Sequence, residues 1–328
     1  MSQKEIDEIY MRRGIQLAEN GRQNARPNPM VGAVIVVPDN SRTTPGHFAD
    51  GYKDTGAAII GEGYHVCCGE GHAEVNAFAS VRPEDEPLLK EATIYVTLEP
   101  CAHYGKTPPC CDLIIKKGVR RVVVGCIDPF AQVQGKGIRR IREAGIEVTV
   151  GVLEQECQWL NRRFFTFHKE HRPYIILKWA QTQDGFLDDH FHAARISSPF
   201  TKMLSHRLRA EEDAIVVGRV TNEREQPRLT VRTWSGKNPK AFVLSHRQPI
   251  DDILSRCYQE QLQSLIVEGG ATTHRSFLDR GLWDEIRVET NLEMTVGNGT
   301  PAPALPEQAV AFRQDIFDRN IITLYRKA

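Results

Sequence analysis

The 328-residue chain contains no apolar run near the roughly 18 residues that a membrane-spanning helix requires, so no membrane partner is expected. It also lacks an excess of either charge: 42 Lys and Arg balance 42 Asp and Glu. That neutrality argues against nucleic acid as a partner, since such binders carry a basic surplus or stripe. Proline, glycine and charged residues are not in excess, which excludes the disordered classes. The first segment, Met1 to Asn20, has no apolar centre of the kind a secretion signal needs. Cysteine is scarce, at positions 67, 68, 101, 110, 111, 126, 157 and 257. Without an export signal, reduced thiols or metal ligands are expected rather than disulfides, and the protein is expected to be cytoplasmic. What is present is a 41% hydrophobic content and a length that suits two domains with sizeable cores.

Ile6, Ile9, Tyr10 and Leu17 recur at helical spacing ahead of Gly21, which predicts a first helix. A buried strand is expected at 31–37, followed by a long polar excursion over 38–56. Further expectations are a helix from His72 to Phe78, a strand at 92–98, a helix at 110–117 and a strand at 121–127. A helix at 136–144, a strand at 146–151 and one helix over 153–167 complete the first half. Alternating strands and helices imply a three-layer α/β/α domain. The basic, aromatic stretch 162–172 is the expected boundary, giving domains at 1–165 and 172–328. The second half alternates again, with strands at 174–179, 213–218, 240–244, 263–267, 284–290 and 320–326. Helices are expected there at 200–210, 250–260 and 271–280.

His72-Ala-Glu74 falls where a helix begins, Pro100-Cys101 directly follows a strand, and Cys110 opens the next helix. Thiolates near helix N-termini are favoured by the positive end of the dipole. One imidazole and two thiolates leave a tetrahedral zinc with an open fourth position, which suits a catalytic metal. Such a metal lowers the pKa of its water toward about 7. Glu74 is then placed to take the water's proton and deliver it to departing ammonia. Zinc deaminases acting on cytosine or adenine share an H-x-E … P-C-x-x-C signature. Here eight residues separate Cys101 from Cys110 instead of two. Cys110 is the expected third ligand, although spacing does not choose between it and Cys111. A structural zinc would need a fourth protein ligand, for which Cys67, Cys68 or His103 are candidates.

Taken together, His72-Ala-Glu74, Thr97-Leu-Glu-Pro-Cys101, His103-Tyr-Gly-Lys-Thr-Pro-Pro-Cys-Cys111 and Arg26-Pro-Asn-Pro-Met-Val-Gly32 resemble the bifunctional riboflavin-biosynthesis deaminase/reductases. The resemblance covers nearly the whole chain and implies a cytidine-deaminase-like first domain. It implies a phosphorylated pyrimidine substrate, 2,5-diamino-6-(5-phosphoribosylamino)pyrimidin-4(3H)-one, whose C2 amino group is replaced by oxygen. His103 and Lys106 can line the pocket mouth, where a cation attracts the substrate phosphate. Asn28, between two prolines, can hydrogen-bond the pyrimidine edge.

On its own residues, the second half shows only an α/β pattern and a Val267-Glu-Gly-Gly270 turn whose glycines would let backbone approach phosphate. The family resemblance implies a dihydrofolate-reductase-like domain that uses NADPH to open the ribosyl group to ribityl. It carries Arg209, Leu229, Arg232 and Glu268 over as substrate contacts, and Ala180, Arg195, Thr221, Glu225 and the segment from Gly270 to Ser276 as NADPH contacts. Arg195 stands where the family usually has an aromatic residue, and Glu225-Gln226-Pro227 replaces the usual Asp-Asp-Pro or Asp-Asn-Pro. The stretch from Val243 to Leu265 is short by about one βα unit, so the alternative expectation is a deaminase whose second domain lacks reductase activity. A homo-oligomer, dimer or tetramer, is expected from the resemblance alone.

Overall fold

A computed structural model describes residues 1–38, 55–104, 108–130 and 134–328. The chain divides into two compact units, Met1–Lys169 and Glu170–Ala328.

In the first unit, helix α1 (Gln3–Ala18) starts from a capping box in which Ser2 and Glu5 satisfy one another's backbone N–H groups. Strands β1 (Gly32–Pro38), β2 (Ala57–Tyr64), β3 (Thr93–Leu98), β4 (Arg121–Cys126) and β5 (Glu147–Val150) form one sheet in the order β2-β1-β3-β4-β5. β1 runs antiparallel to both its neighbours, whereas β3, β4 and β5 are parallel. Alternate residues of β1 go to opposite faces and both faces are buried. Ala33, Ile35 and Val37 meet helices α2 (Ala73–Ala79), α3 (Cys110–Lys117) and α4 (Lys136–Glu143), while Val34 and Val36 face the side of Tyr10, Met11 and Phe164. Apolar strands buried on both faces are what a helix-covered sheet requires.

Where one helix over 153–167 is expected, there are two, α5 (Glu154–Leu160) and α6 (Arg162–Glu170). The break falls at Asn161, whose side chain accepts from the Met30 N–H and donates to the Met30 carbonyl, each at 2.8 Å. That clasp ties the break to the loop before β1 and competes with continued helix. A 3-10 stretch at Pro83–Glu91 is also absent from the sequence reading.

The second unit is a seven-stranded sheet in the order β11-β12-β10-β6-β9-β7-β8. Its strands are β6 (Tyr174–Gln181), β7 (Ala214–Gly218), β8 (Lys240–Leu244), β9 (Ser264–Glu268), β10 (Glu285–Asn291), β11 (Ala309–Phe317) and β12 (Asn320–Lys327). The five from β10 to β8 are parallel to one another, and β12 runs antiparallel to both β10 and β11. Helix α7 (Pro199–Glu211), N-capped by Ser198, packs Leu208 on Tyr174, Ile176 and Ile266. Helices α9 (Ile250–Gln259) and α10 (Ala271–Leu278) cover the other face, where Ile253, Cys257 and Phe277 meet Ile175, Leu177 and Trp179. The shortened stretch forms one crossover, β8-α9-β9. Two elements are additional to the sequence expectations: the short helix α8 (Arg219–Glu225) and the edge strand β11. Among the described residues no helix is long and apolar enough to cross a membrane.

Candidate functional site

At the start of α2 the chain turns from extended to helical at His72, the N-cap, so Glu74 sits in the first turn. β3 delivers Cys101 three residues beyond its end, and Cys110 is the first residue of α3. The three side chains converge: His72 Nδ1 lies 3.6 Å from Cys101 Sγ and 3.4 Å from Cys110 Sγ. A tetrahedral zinc with bonds of about 2.0–2.1 Å to nitrogen and about 2.3 Å to sulfur holds such ligands about 3.6 Å apart. The donor set therefore fits zinc in both chemistry and spacing. His72, Cys101 and Cys110 are the only such cluster among the described residues, with all ligand atoms within 4.8 Å. No fourth protein ligand joins them there, which leaves a tetrahedral position open.

Hydrogen bonds from Cys110 and His72 hold the Cys101 sulfur well below the usual thiol range, and that shared contact drives the Cys110 thiol upward. Cys111 is buried beside Asp112, and burial pushes its thiol up to about 12. Glu74 is buried, and burial together with the nearby Cys101 sulfur raises its carboxyl to about 7.

Two further residues frame this centre. His65 donates from Nδ1 to the Gly71 carbonyl at 3.1 Å, so its Nε2 accepts from the Asn28 amide at 3.1 Å. Its ring meets that of His72 edge-on, with centroids 5.3 Å apart. The second is Glu99, buried within the Thr97-Leu-Glu-Pro-Cys101 run. Its carboxylate accepts backbone N–H groups from Gly135 at 2.9 Å and Gly137 at 3.0 Å, and from Asp128 and Ile138 at 3.4 Å each. This ties the N-terminus of α4 and the loop after β4 to the strand end that carries Cys101.

The second unit contains a cleft of about 1890 Å³ along the C-terminal ends of its parallel strands, where ligands of open α/β sheets bind. On its floor Arg209 and Glu268 form an ion pair at 2.6 Å. Burial alone would raise the Glu268 carboxyl, but the Lys178 and Arg209 cations hold it below its usual range. Glycines strip side chains from the wall at α10. A Cβ on Gly218 would lie 2.3 Å from the Thr273 hydroxyl, Gly269 has φ +152°, and Gly270 has nothing nearer than 4.0 Å. Bare backbone beside a helix N-terminus is the cradle a dinucleotide pyrophosphate needs, so the wall fits NADPH.

The zinc-binding region of cytidine and deoxycytidylate deaminases matches residues 4–126. The RibD C-terminal domain matches in two overlapping pieces, 173–253 and 243–310. The riboflavin biosynthesis protein RibD of Aquifex aeolicus is 42% identical, covering 87% of this chain and 86% of that protein. The chain belongs to the RibD family. RibD of Synechocystis is 36% identical over 96% of this chain and 76% of its own length. A crystal structure of the diaminohydroxyphosphoribosylaminopyrimidine deaminase/5-amino-6-(5-phosphoribosylamino)uracil reductase of Thermotoga maritima superposes with a TM-score of 0.85 at 30% identity, covering both chains fully. The RibD structure of Acinetobacter baumannii gives 0.83 at 28% identity, again with both chains fully covered. As a RibD protein the chain is a bifunctional deaminase/reductase of riboflavin biosynthesis, with a zinc-binding deaminase domain followed by a reductase domain.

Within this RibD chain, His72, Glu74, Cys101 and Cys110 meet, and Asn28 reaches them through His65. His103 is exposed, close enough to the buried Asp128 to lower its carboxyl, although burial dominates and raises it to about 6. Lys106 lies outside the described residues. Ala180, Arg195, Thr221, Glu225, Leu229 and Arg232 all line the one cleft, together with Arg209, Glu268 and Gly270. Sequence reasoning missed His65, Glu99, Asp128 and Lys178. A signal existed for two of them, since Glu99 stands inside the Thr97–Cys101 motif and Lys178 inside the Leu177–Gly185 motif.

Proposed function

We propose that the first unit deaminates 2,5-diamino-6-(5-phosphoribosylamino)pyrimidin-4(3H)-one and that the second reduces the product's ribosyl group to ribityl with NADPH. The carrying observation is the triangle of His72, Cys101 and Cys110 at zinc spacing with the buried Glu74 beside it. Zinc held by His72, Cys101 and Cys110 would supply an acidified water. Glu74 takes a proton from the attacking water and returns it to the leaving C2 amino nitrogen, so the pyrimidine and water become the C2 carbonyl compound and ammonia. A carboxyl raised to about 7 exchanges protons in both directions near neutral pH. Asn28, anchored through His65, presents its amide to the pyrimidine edge. His103 and Lys106 are assigned to the mouth, where they would attract the phosphate.

In the second unit, Arg209 and Arg232 are the natural partners of the substrate phosphate, because a guanidinium fork matches phosphate geometry. Leu229 and Glu268 complete the substrate side. Ala180, Arg195, Thr221 and Glu225, which line the cleft, would hold the cofactor, and the bare backbone at Gly270 would receive its pyrophosphate. NADPH held there would supply the hydride that C1′ takes as its bond to the ring oxygen breaks, and the opened sugar would gain a proton at that oxygen. A homo-oligomeric assembly is part of this reading, as is the domain division at 1–165 and 172–328.

The test is a two-stage assay of the zinc-loaded full chain on the diaminopyrimidinone ribosyl phosphate, following ammonia release and then NADPH oxidation. Both signals are expected. Ammonia without NADPH consumption would leave the deaminase standing and remove the reductase. No ammonia from zinc-replete protein would overturn the substrate assignment.

A further inference from the structure

His206 lies on α7, lines the cleft and is 2% exposed. Three donors converge on its Nδ1: the Thr233 backbone N–H at 2.9 Å, the Arg232 backbone N–H at 3.3 Å and the Thr233 hydroxyl at 2.8 Å. A backbone amide only donates, so Nδ1 is an acceptor and the neutral ring carries its proton on Nε2. Burial favours that neutral form, and the Arg232, Arg209 and Lys202 charges reinforce it against the opposing pull of Glu268. Nε2–H has no hydrogen-bond partner among the described residues. The ring is sealed on its Nδ1 side by the 232–233 loop, which leaves the cleft for Nε2 to face.

One free N–H entering a cleft lined by Lys202 and Arg232, beside the Arg209–Glu268 ion pair, is an arrangement for an anion. Glu268, whose charge acts on His206, is already neutralised by Arg209. A further cation there would add repulsion and desolvation, whereas a neutral donor adds a hydrogen bond without either cost. We infer that His206 binds the phosphate of the substrate through Nε2–H while its Nδ1 anchors the loop that carries Leu229 and Arg232. This rests on reading the cleft as the site that takes the phosphorylated sugar. It explains why a histidine suits this position: only one tautomer holds the loop, and that tautomer points its donor at the ligand.

Two substitutions in the zinc-loaded full chain separate the two nitrogens. Asn at 206 places its side-chain oxygen near Nδ1 and keeps the loop anchor, but offers nothing at Nε2. Gln places its amide near Nε2 and gives up the anchor. For His206→Asn, KM for the phosphorylated deamination product should rise about tenfold, the loss of one hydrogen bond to a charged group. KM for the dephosphorylated counterpart should move less than twofold, and competitive inhibition by inorganic phosphate should weaken. For His206→Gln, KM should rise for both substrates. Equal effects of His206→Asn on the two substrates, or unchanged phosphate inhibition, overturn the inference. If the wild-type protein oxidises no NADPH, the reductase reading fails, and calorimetric titration of inorganic phosphate into wild type and His206→Asn still decides the role of His206. Should neither variant fold, ¹⁵N-histidine NMR of the wild type decides. A ring protonated at Nε2, with a resonance that moves on adding phosphate, supports the inference; a ring protonated at Nδ1 ends it.

Discussion

The backbone N–H of Cys110 donates to the Sγ of Cys101 across 3.2 Å. One metal-site cysteine therefore steadies the charge on the other, and the N-terminus of α3 is held on the loop after β3. Cys111, one residue on, turns its thiol to Asp112 instead. Cys110→Ser should then lose most of its zinc and all ammonia release. Cys111→Ser should keep stoichiometric zinc and cost about 1 kcal/mol of stability, the scale of a small core change. Metal analysis of the two purified variants checks this, and equal zinc loss in both would refute the ligand assignment.

Glu74 carries protons without being needed as a ligand. In Glu74→Gln the amide fills the same buried space but cannot shuttle a proton. Ammonia release should fall by about 10²–10⁴-fold. Zinc content and NADPH-dependent turnover of the deaminated product should stay at wild-type levels. Loss of zinc along with activity would mean that Glu74 holds the site together rather than working in it.

Sequence was most informative where side-chain pattern and local backbone demand coincide. His72-Ala-Glu74 falls at a helix start and Cys110 at another, so ligand chemistry and helix capping agree within a few residues. The split between α5 and α6 was illegible because its cause, Met30, stands 131 residues away from Asn161. Helix α8 buries no residue and so has no apolar face to read, and β11 is an edge strand whose exposure does not alternate. The cleft residues came from resemblance, because Arg209, Leu229 and Glu268 are scattered in sequence and meet only when α7, the loop between α8 and β8, and β9 are assembled. His206 has no motif of its own; its role depends on which nitrogen the 232–233 loop occupies.

Asp7 and Arg121 form a largely buried pair at 2.8 Å, with Tyr95 and Gln3 also donating to the Asp7 carboxylate. Burial pushes the Asp7 carboxyl up, but hydrogen bonds from Arg121, Gln3 and Tyr95 outweigh it, and the net shift is downward. A carboxyl depressed by folding contributes its full stability above its unfolded pKa, about 3.9, and loses it as pH falls through the lower folded value. Asp7→Asn leaves the Arg121 guanidinium without its main partner and should cost about 3 kcal/mol at pH 7. The stability gap between variant and wild type should shrink below about pH 4. Urea titrations of both proteins from pH 7 to pH 3 test this; a gap independent of pH would show that the loss comes from packing rather than charge.

Gly63 brings strand β2 against helix α2, which carries Glu74. A Cβ at this position would lie 2.3 Å from the Ala77 nitrogen and 2.7 Å from the Ala73 carbonyl oxygen. Both are backbone atoms, so no side chain can swing aside and the helix itself must move. Gly63→Ala should destabilise the first unit by about 1–3 kcal/mol, the usual cost of overpacking. It should also shift His72 and Glu74 relative to Cys101 and Cys110, and a displacement near 1 Å at reacting groups costs about 10²-fold in rate. Ammonia release should therefore fall on that scale with weakened zinc retention. NADPH oxidation on the deaminated product should persist, since the cleft of the second unit uses none of these residues. Parallel loss of both activities would point to global unfolding, and intact ammonia release would mean that β2 can yield where α2 cannot.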